Sequence, residues 1–122
     1  MAKVLVVDDS ESHRFQIKRD LQGAGYEVME AHDGQDALLK LAEKPKVDLI
    51  LADVNMPVMD GLTMCAKLHE KGTHLGTPIF MLTTESSNEM KLAGKKVGVN
   101  AWIIKPYVIE KLLVAIDKVL KK

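Results

Sequence analysis

Much that would mark out a special environment is missing from this sequence. A lone cysteine, Cys65, among 122 residues cannot close an internal disulfide, which excludes the disulfide-stapled secreted scaffolds. No apolar stretch approaches the roughly 20 residues that a membrane span needs, and no low-complexity linker divides the chain. The opening "MAKVLVVDDSES" holds too short an apolar run for a secretory leader. Charge of one sign is also lacking: Lys plus Arg and Asp plus Glu both total 17, so there is neither a basic excess for nucleic acid nor an acidic tail. His13, His32, His69 and His74 have no metal-ligand spacing with Cys65. These absences predict a cytoplasmic protein, one domain over 1–122 with no further module, and neither nucleic acid nor membrane as a partner.

What is present is a regular alternation. "KVLVV" (3–7), "YEVMEA" (26–31), "DLILAD" (48–53), "PIFMLT" (78–83) and "AWIIK" (101–105) are short, mostly continuous apolar segments, as expected of strands buried on both faces. Between them helical spacing covers 12–22, 34–43, 62–71, 87–97 and 109–120, the last with Ile109, Leu112, Leu113, Ile116, Val119 and Leu120 in one stripe. Gly23, Gly25, Pro45, Gly72 and Gly98 punctuate the helix ends. Asp33 and Ser86 are candidate caps, Ser86 with Glu89 as a capping box. Cys65 fits an apolar helix face with Leu62, Ala66 and His69, and the scattered methionines read as core, Met56 and Met59 flanking the rim described next. Five strand–helix repeats with right-handed crossovers give a doubly wound α/β sandwich of parallel strands, with ligands expected at the carboxyl ends of the strands.

That rule gathers chemistry on one rim. Asp8 and Asp9 end the first strand, Asp53 the third, Thr83 the fourth and Lys105 the fifth. Three carboxylates at close range disfavour mutual ionisation unless a cation neutralises them, and hard oxygen donors without clustered His or Cys suit Mg²⁺. Lys105 and Thr83 could hold the other oxygens of a phosphoryl group. Because carboxylates serve as covalent nucleophiles and phosphoryl transfer needs mainly positioning and neutralisation, Asp53 is the expected acceptor.

"VLVVDDS", "LILADVNMPVMDGL", "IFMLTTES" and "AWIIKPY" together resemble the four signature regions of bacterial response regulator receiver domains, over essentially the whole chain. The spacing of Asp53, Thr83 and Lys105 is that of a compact receiver without insertions, and the likeness is strongest to single-domain chemotaxis regulators of the CheY type, including Asn55 and Glu85. The resemblance implies the flavodoxin-like receiver fold, strand order 2-1-3-4-5 with five helices. It implies that Asp53 takes phosphate from a histidine kinase, and that Asp9, Asp53 and the Asn55 carbonyl ligate Mg²⁺, with Asp8 acting through water. Lys105 would contact the phosphoryl group, and the Lys105–Pro106 peptide would be cis. Thr83 and Trp102 would form the switch, the aromatic turning inward as Thr83 reaches the phosphoryl oxygen, while Asn55 and Glu85 would tune dephosphorylation. Trp102 departs from the Tyr or Phe common in motility regulators, and an indole is harder to accommodate inward.

Such a protein is a monomeric signalling protein and not an enzyme, assisting only its own phosphorylation and dephosphorylation. Its partners would be a kinase, a downstream protein such as the flagellar motor switch, and a phosphatase. A phosphorelay intermediate is the alternative within the family. From another class, phosphohydrolases of the haloacid dehalogenase type share the Asp, Mg²⁺, Thr and Lys but need a second Asp where this chain has Asn55, and a cap insertion it lacks. Lys91, Lys95 and Lys96 read as a solvated helix face, with an acidic-partner contact as the sharper reading.

Overall fold

A computed structural model describes residues 2–43, 45–72, 74 and 76–120. Strands β1 (Lys3–Val7), β2 (Glu27–Ala31), β3 (Leu49–Ala52), β4 (Ile79–Thr83) and β5 (Ala101–Ile104) alternate with helices α1 (Glu11–Gly23), α2 (Gly34–Leu41), α3 (Gly61–Lys71), α4 (Asn88–Lys96) and α5 (Ile109–Leu120). All strand pairs are parallel, in the order β2-β1-β3-β4-β5. Among the described residues no helix is long and apolar enough to cross a membrane.

The continuous apolar strands follow from coverage on both faces, since successive side chains point to opposite sides. Leu5, Val7, Ile50, Ala52, Ile79 and Met81 pack with α2 and α3. Val4, Val6, Leu49, Leu51, Phe80 and Leu82 pack with Ile17 and Leu21 of α1 and Leu112 and Ile116 of α5. On α3 the inward set is Met64, Cys65 and Leu68, whereas Ala66 and His69 are exposed and Leu62 lies between. The face expected around Cys65 is therefore turned, because Met64 and Leu68, one turn apart, carry more apolar surface than Ala66 and draw the stripe toward themselves.

Each of the first four helices starts on a side-chain cap. Ser10, Asp33, Asp60 and Ser87 accept hydrogen bonds from the backbone N–H groups of His13, Asp36, Thr63 and Met90. Asp33 is the cap expected from the sequence. At α4 the cap is Ser87 and not Ser86: extended backbone at Ser87 (φ −67°, ψ 146°) sets its hydroxyl over the Met90 N–H. Glu89 then falls one position too early to close a capping box. Helix α2 also ends at Leu41, earlier than its sequence pattern suggested.

One glycine fixes how the rim is presented. Gly61, buried at the start of α3, donates its N–H to the Val54 carbonyl at 3.0 Å, and a Cβ there would stand 2.2 Å from the Asp53 carbonyl oxygen. The helix is thus jammed against the end of β3, which only a residue without a side chain allows. Gly61→Ala should lower stability by about 2 to 4 kcal/mol, the upper range for overpacking against backbone. A urea melt with unchanged slope and a midpoint within error of the wild type would show that the approach is not tight.

Candidate functional site

The sheet ladder runs one residue past the strands and so aims the rim. Asp8 donates its N–H to Ala31 O (3.1 Å), Asp53 to Val7 O (3.0 Å) and Lys105 to Thr83 O (2.8 Å). Parallel pairing in register therefore brings side chains distant in sequence to one edge. Asp8 is 2% exposed, Asp53 9% and Thr83 0%.

Their charges meet at one nitrogen. Lys105 Nζ lies 2.8 Å from Asp8 Oδ2 and 2.8 Å from Asp53 Oδ2. Asp8 Oδ1 accepts from the Ser10 N–H at 2.9 Å, and Asp53 Oδ1 from the Asn55 N–H at 3.1 Å. Burial works against a charged Lys105, but hydrogen bonds to Asp53 and Asp8, with their charges, outweigh it and hold its pKa above the ordinary lysine value. Arg14 Nη1 donates to the Asp8 carbonyl at 2.6 Å, steadying the turn into α1. Asp9 is exposed. Among the described residues no three His, Cys, Asp or Glu side chains are grouped to hold a metal; the contacts seen unite Asp8, Asp53 and Lys105.

Glu85 knits the loop after β4 to the rest. Its N–H donates to Thr83 Oγ1 at 3.3 Å, its carboxylate accepts from Asn55 Nδ2 at 3.3 Å, and its carbonyl accepts from Trp102 Nε1 at 2.7 Å. The indole is half-buried against the α4 side of the core. It lies on Gly94, where a Cβ would come within 2.8 Å of Trp102 Cζ3. The Lys105–Pro106 peptide is cis. Lys91, Lys95 and Lys96 are exposed along α4.

Two contacts went unread in the sequence. His13 Nδ1 lies 3.4 Å from Lys105 Nζ, and Tyr107 donates its hydroxyl to Asp20 Oδ2 at 2.7 Å. His13 was set aside because it has no ligand spacing; its place in the first turn of the helix after Asp8 and Asp9 was the available signal.

Comparison with known proteins gives one consistent result. A family profile, the Response regulator receiver domain, matches residues 4–117. Response regulator MprA of Mycobacterium avium is 37% identical over 98% of this chain and 51% of its own. The chain spans about half the length of such curated relatives. Among solved structures, chemotaxis protein CheY4 of Vibrio cholerae matches with TM-score 0.91 and 48% identity, covering 98% of this chain and 99% of its own. A CheY-like receiver domain protein from Methanospirillum hungatei matches with TM-score 0.91 and 30% identity, covering 98% and 94%.

Removing Lys105 leaves two facing carboxylates with no shared cation. Lys105→Ala should cost about 2 to 3 kcal/mol near neutral pH, below the range for fully buried pairs because the ammonium is partly solvated. A lysine pKa raised by folding adds stability that is complete below the ordinary value of about 10.4 and is lost as pH rises through the folded value. The gap between wild type and variant in denaturant melts should therefore narrow in alkali. A gap unchanged above that pH would mean the ammonium contributes no charge-dependent stability.

Gly94→Ala tests the indole's seat. Glycine to alanine inside a helix ordinarily stabilises by about 1 kcal/mol. Here the new methyl should push Trp102 outward, reversing the sign and shifting its fluorescence to the red. A stabilised variant with unmoved emission would show that the indole does not rest there.

Proposed function

The chain belongs to the response regulator receiver family, and from that premise we propose that Asp53 accepts a phosphoryl group from a histidine kinase and that a protein partner reads the result. The observation that carries this reading is the Lys105 ammonium, shared at 2.8 Å by Asp8 and Asp53 beside the buried Thr83. A carboxylate oxygen of Asp53 attacks phosphorus of an N-phosphorylated histidine; a P–O bond forms as the P–N bond breaks. The departing imidazole keeps the electron pair and takes a proton from water.

The product removes the charge on Asp53 and puts negative charge on the phosphoryl oxygens. Lys105 can follow that charge while keeping Asp8 as an anchor. Thr83 Oγ1 already accepts from the Glu85 N–H, which leaves its own O–H to donate to a phosphoryl oxygen. Two nearly buried carboxylates share one ammonium and the donors are all hard oxygens, a set that fits Mg²⁺. Asp8, Asp9, Asp53 and the Asn55 carbonyl would hold it, and when bound it neutralises phosphoryl oxygens. Asn55 and Glu85, joined across the mouth, are placed to control the entry of the water that removes the phosphoryl group.

Likeness to the chemotaxis protein CheY4, at 48% identity, supports a role in chemotaxis for this receiver domain. In this reading the output is protein binding, at a target such as the flagellar motor switch, on the face of α4, β5 and α5 that Trp102 connects to Glu85.

Acetyl phosphate with Mg²⁺ should label the protein at Asp53, and borohydride trapping followed by mass spectrometry locates the adduct. Asp53→Asn should stay unlabelled, and Thr83→Ala should still accept phosphate while losing most of the gain in partner affinity. Equal labelling of wild type and Asp53→Asn would sink the assignment.

A further inference from the structure

We propose that His13 is a positioning residue for Lys105, an inference that rests on Asp53 as the phosphoryl acceptor. A lysine ammonium has three N–H donors. Asp8 Oδ2 and Asp53 Oδ2 take two of them at 2.8 Å each, and the third faces His13 Nδ1, 3.4 Å away in the first turn of α1. The nitrogen therefore stands on three acceptors drawn from the ends of β1 and β3 and from α1.

Of these, only the imidazole lies outside the chemistry. Asp53 becomes an acyl phosphate and Asp8 belongs to the Mg²⁺-holding set, so the first two acceptors change during the reaction. His13 keeps its place and steadies the ammonium on the α1 side as it swings to the phosphoryl oxygens. The same helix holds the loop beyond Lys105 a second time, through Tyr107 and Asp20 at 2.7 Å. Between the two ties lies a cavity of about 290 Å³, lined by His13, Gln16, Thr84, Lys105 and Tyr107 among others, which leaves the ammonium room to swing.

The contact requires a neutral ring with its proton on Nε2. An imidazolium offers no acceptor and repels the ammonium. The charged groups facing His13 are Lys105 at the end of β5 and, behind it, Asp8 and Asp53; Arg14 on its own helix is turned onto Glu30 and the Asp8 carbonyl. The capping bond of His13 uses its backbone N–H, so side-chain substitution leaves the start of α1 intact.

Asparagine can present its side-chain oxygen where Nδ1 lies, without titrating. With acetyl phosphate and Mg²⁺ at pH 8, His13→Ala should label Asp53 roughly threefold to tenfold more slowly than wild type, the loss of part of one charge-assisted hydrogen bond. His13→Asn should restore the rate. Independently of phosphorylation, the Lys105 side-chain NMR signals should move in His13→Ala and return toward their wild-type positions in His13→Asn. Equal rates for all three proteins, a His13→Asn rate as low as that of His13→Ala, or Lys105 signals unmoved by His13→Ala would each overturn the inference. Absence of Asp53 labelling in wild type would instead overturn the proposed function, with the Lys105 NMR signals still deciding the role of His13.

Discussion

The structure turns on a single shared cation. Asp8 and Asp53 are each nearly buried, and two ionised carboxylates at that depth would repel each other and want water. Lys105 at 2.8 Å from both resolves this. For it to do so, the ends of β1, β3 and β5 must meet at one edge, although β5 pairs with β4 and not with β3. The ladder bonds of Asp8, Asp53 and Lys105, one residue past each strand, meet that demand. A buried ion pair of this kind adds little stability compared with apolar packing of the same volume. Its retention is better understood through chemistry: charge that must be balanced in one state can be redistributed in another.

In the proposed function Glu85 is the group that carries that redistribution outward. Its backbone and carboxylate join Thr83, Asn55 and Trp102 within one residue. A change at Thr83 or Asn55 therefore bears on the carbonyl that holds the indole, and the indole rests on Gly94 of α4. The path from the rim to the outer face is two hydrogen bonds and one packing contact long. A phenol or phenyl ring at position 102 would lack the Nε1–H that makes the middle link.

How much of this was legible in the sequence varies with the physics involved. Continuous apolar runs ending in Asp8, Asp53, Thr83 and Lys105 announced both the parallel sheet and the edge where Asp8, Asp53 and Lys105 meet, because burial on two faces and polar residues at strand ends leave a compositional trace. The cap of α4 was misplaced by one residue, since Ser86 and Ser87 have the same chemistry and only backbone dihedrals separate them. The face of α3 was turned because the pattern Leu62, Cys65, Ala66, His69 competes with Met64 and Leu68, and apolar area decides. Bonds to backbone carbonyls, such as Trp102 to Glu85, leave no trace in residue identity. Neither does His13, whose role depends on a partner 92 positions away.

The helices differ in how firmly they are held, and this decides what can move. Helix α3 buries Gly61, Met64, Cys65 and Leu68 and is wedged against the Asp53 carbonyl. Helix α4 buries only Gly94. A coupling between sites is ordinarily about 1 to 3 kcal/mol, far too little to displace four buried side chains and enough to shift an element seated on one. Beside the rim, Val58 sits at φ 67° and is 82% exposed, a β-branched residue in the left-handed region where about 1 to 2 kcal/mol is stored. That strain lies on the rigid α3 side and shapes the loop around Asp53 and Asn55. The loosely seated side, from Glu85 through Trp102 to α4, is where energy released at the rim can become motion, so the proposed function divides acceptor geometry and output between the two flanks of one sheet edge.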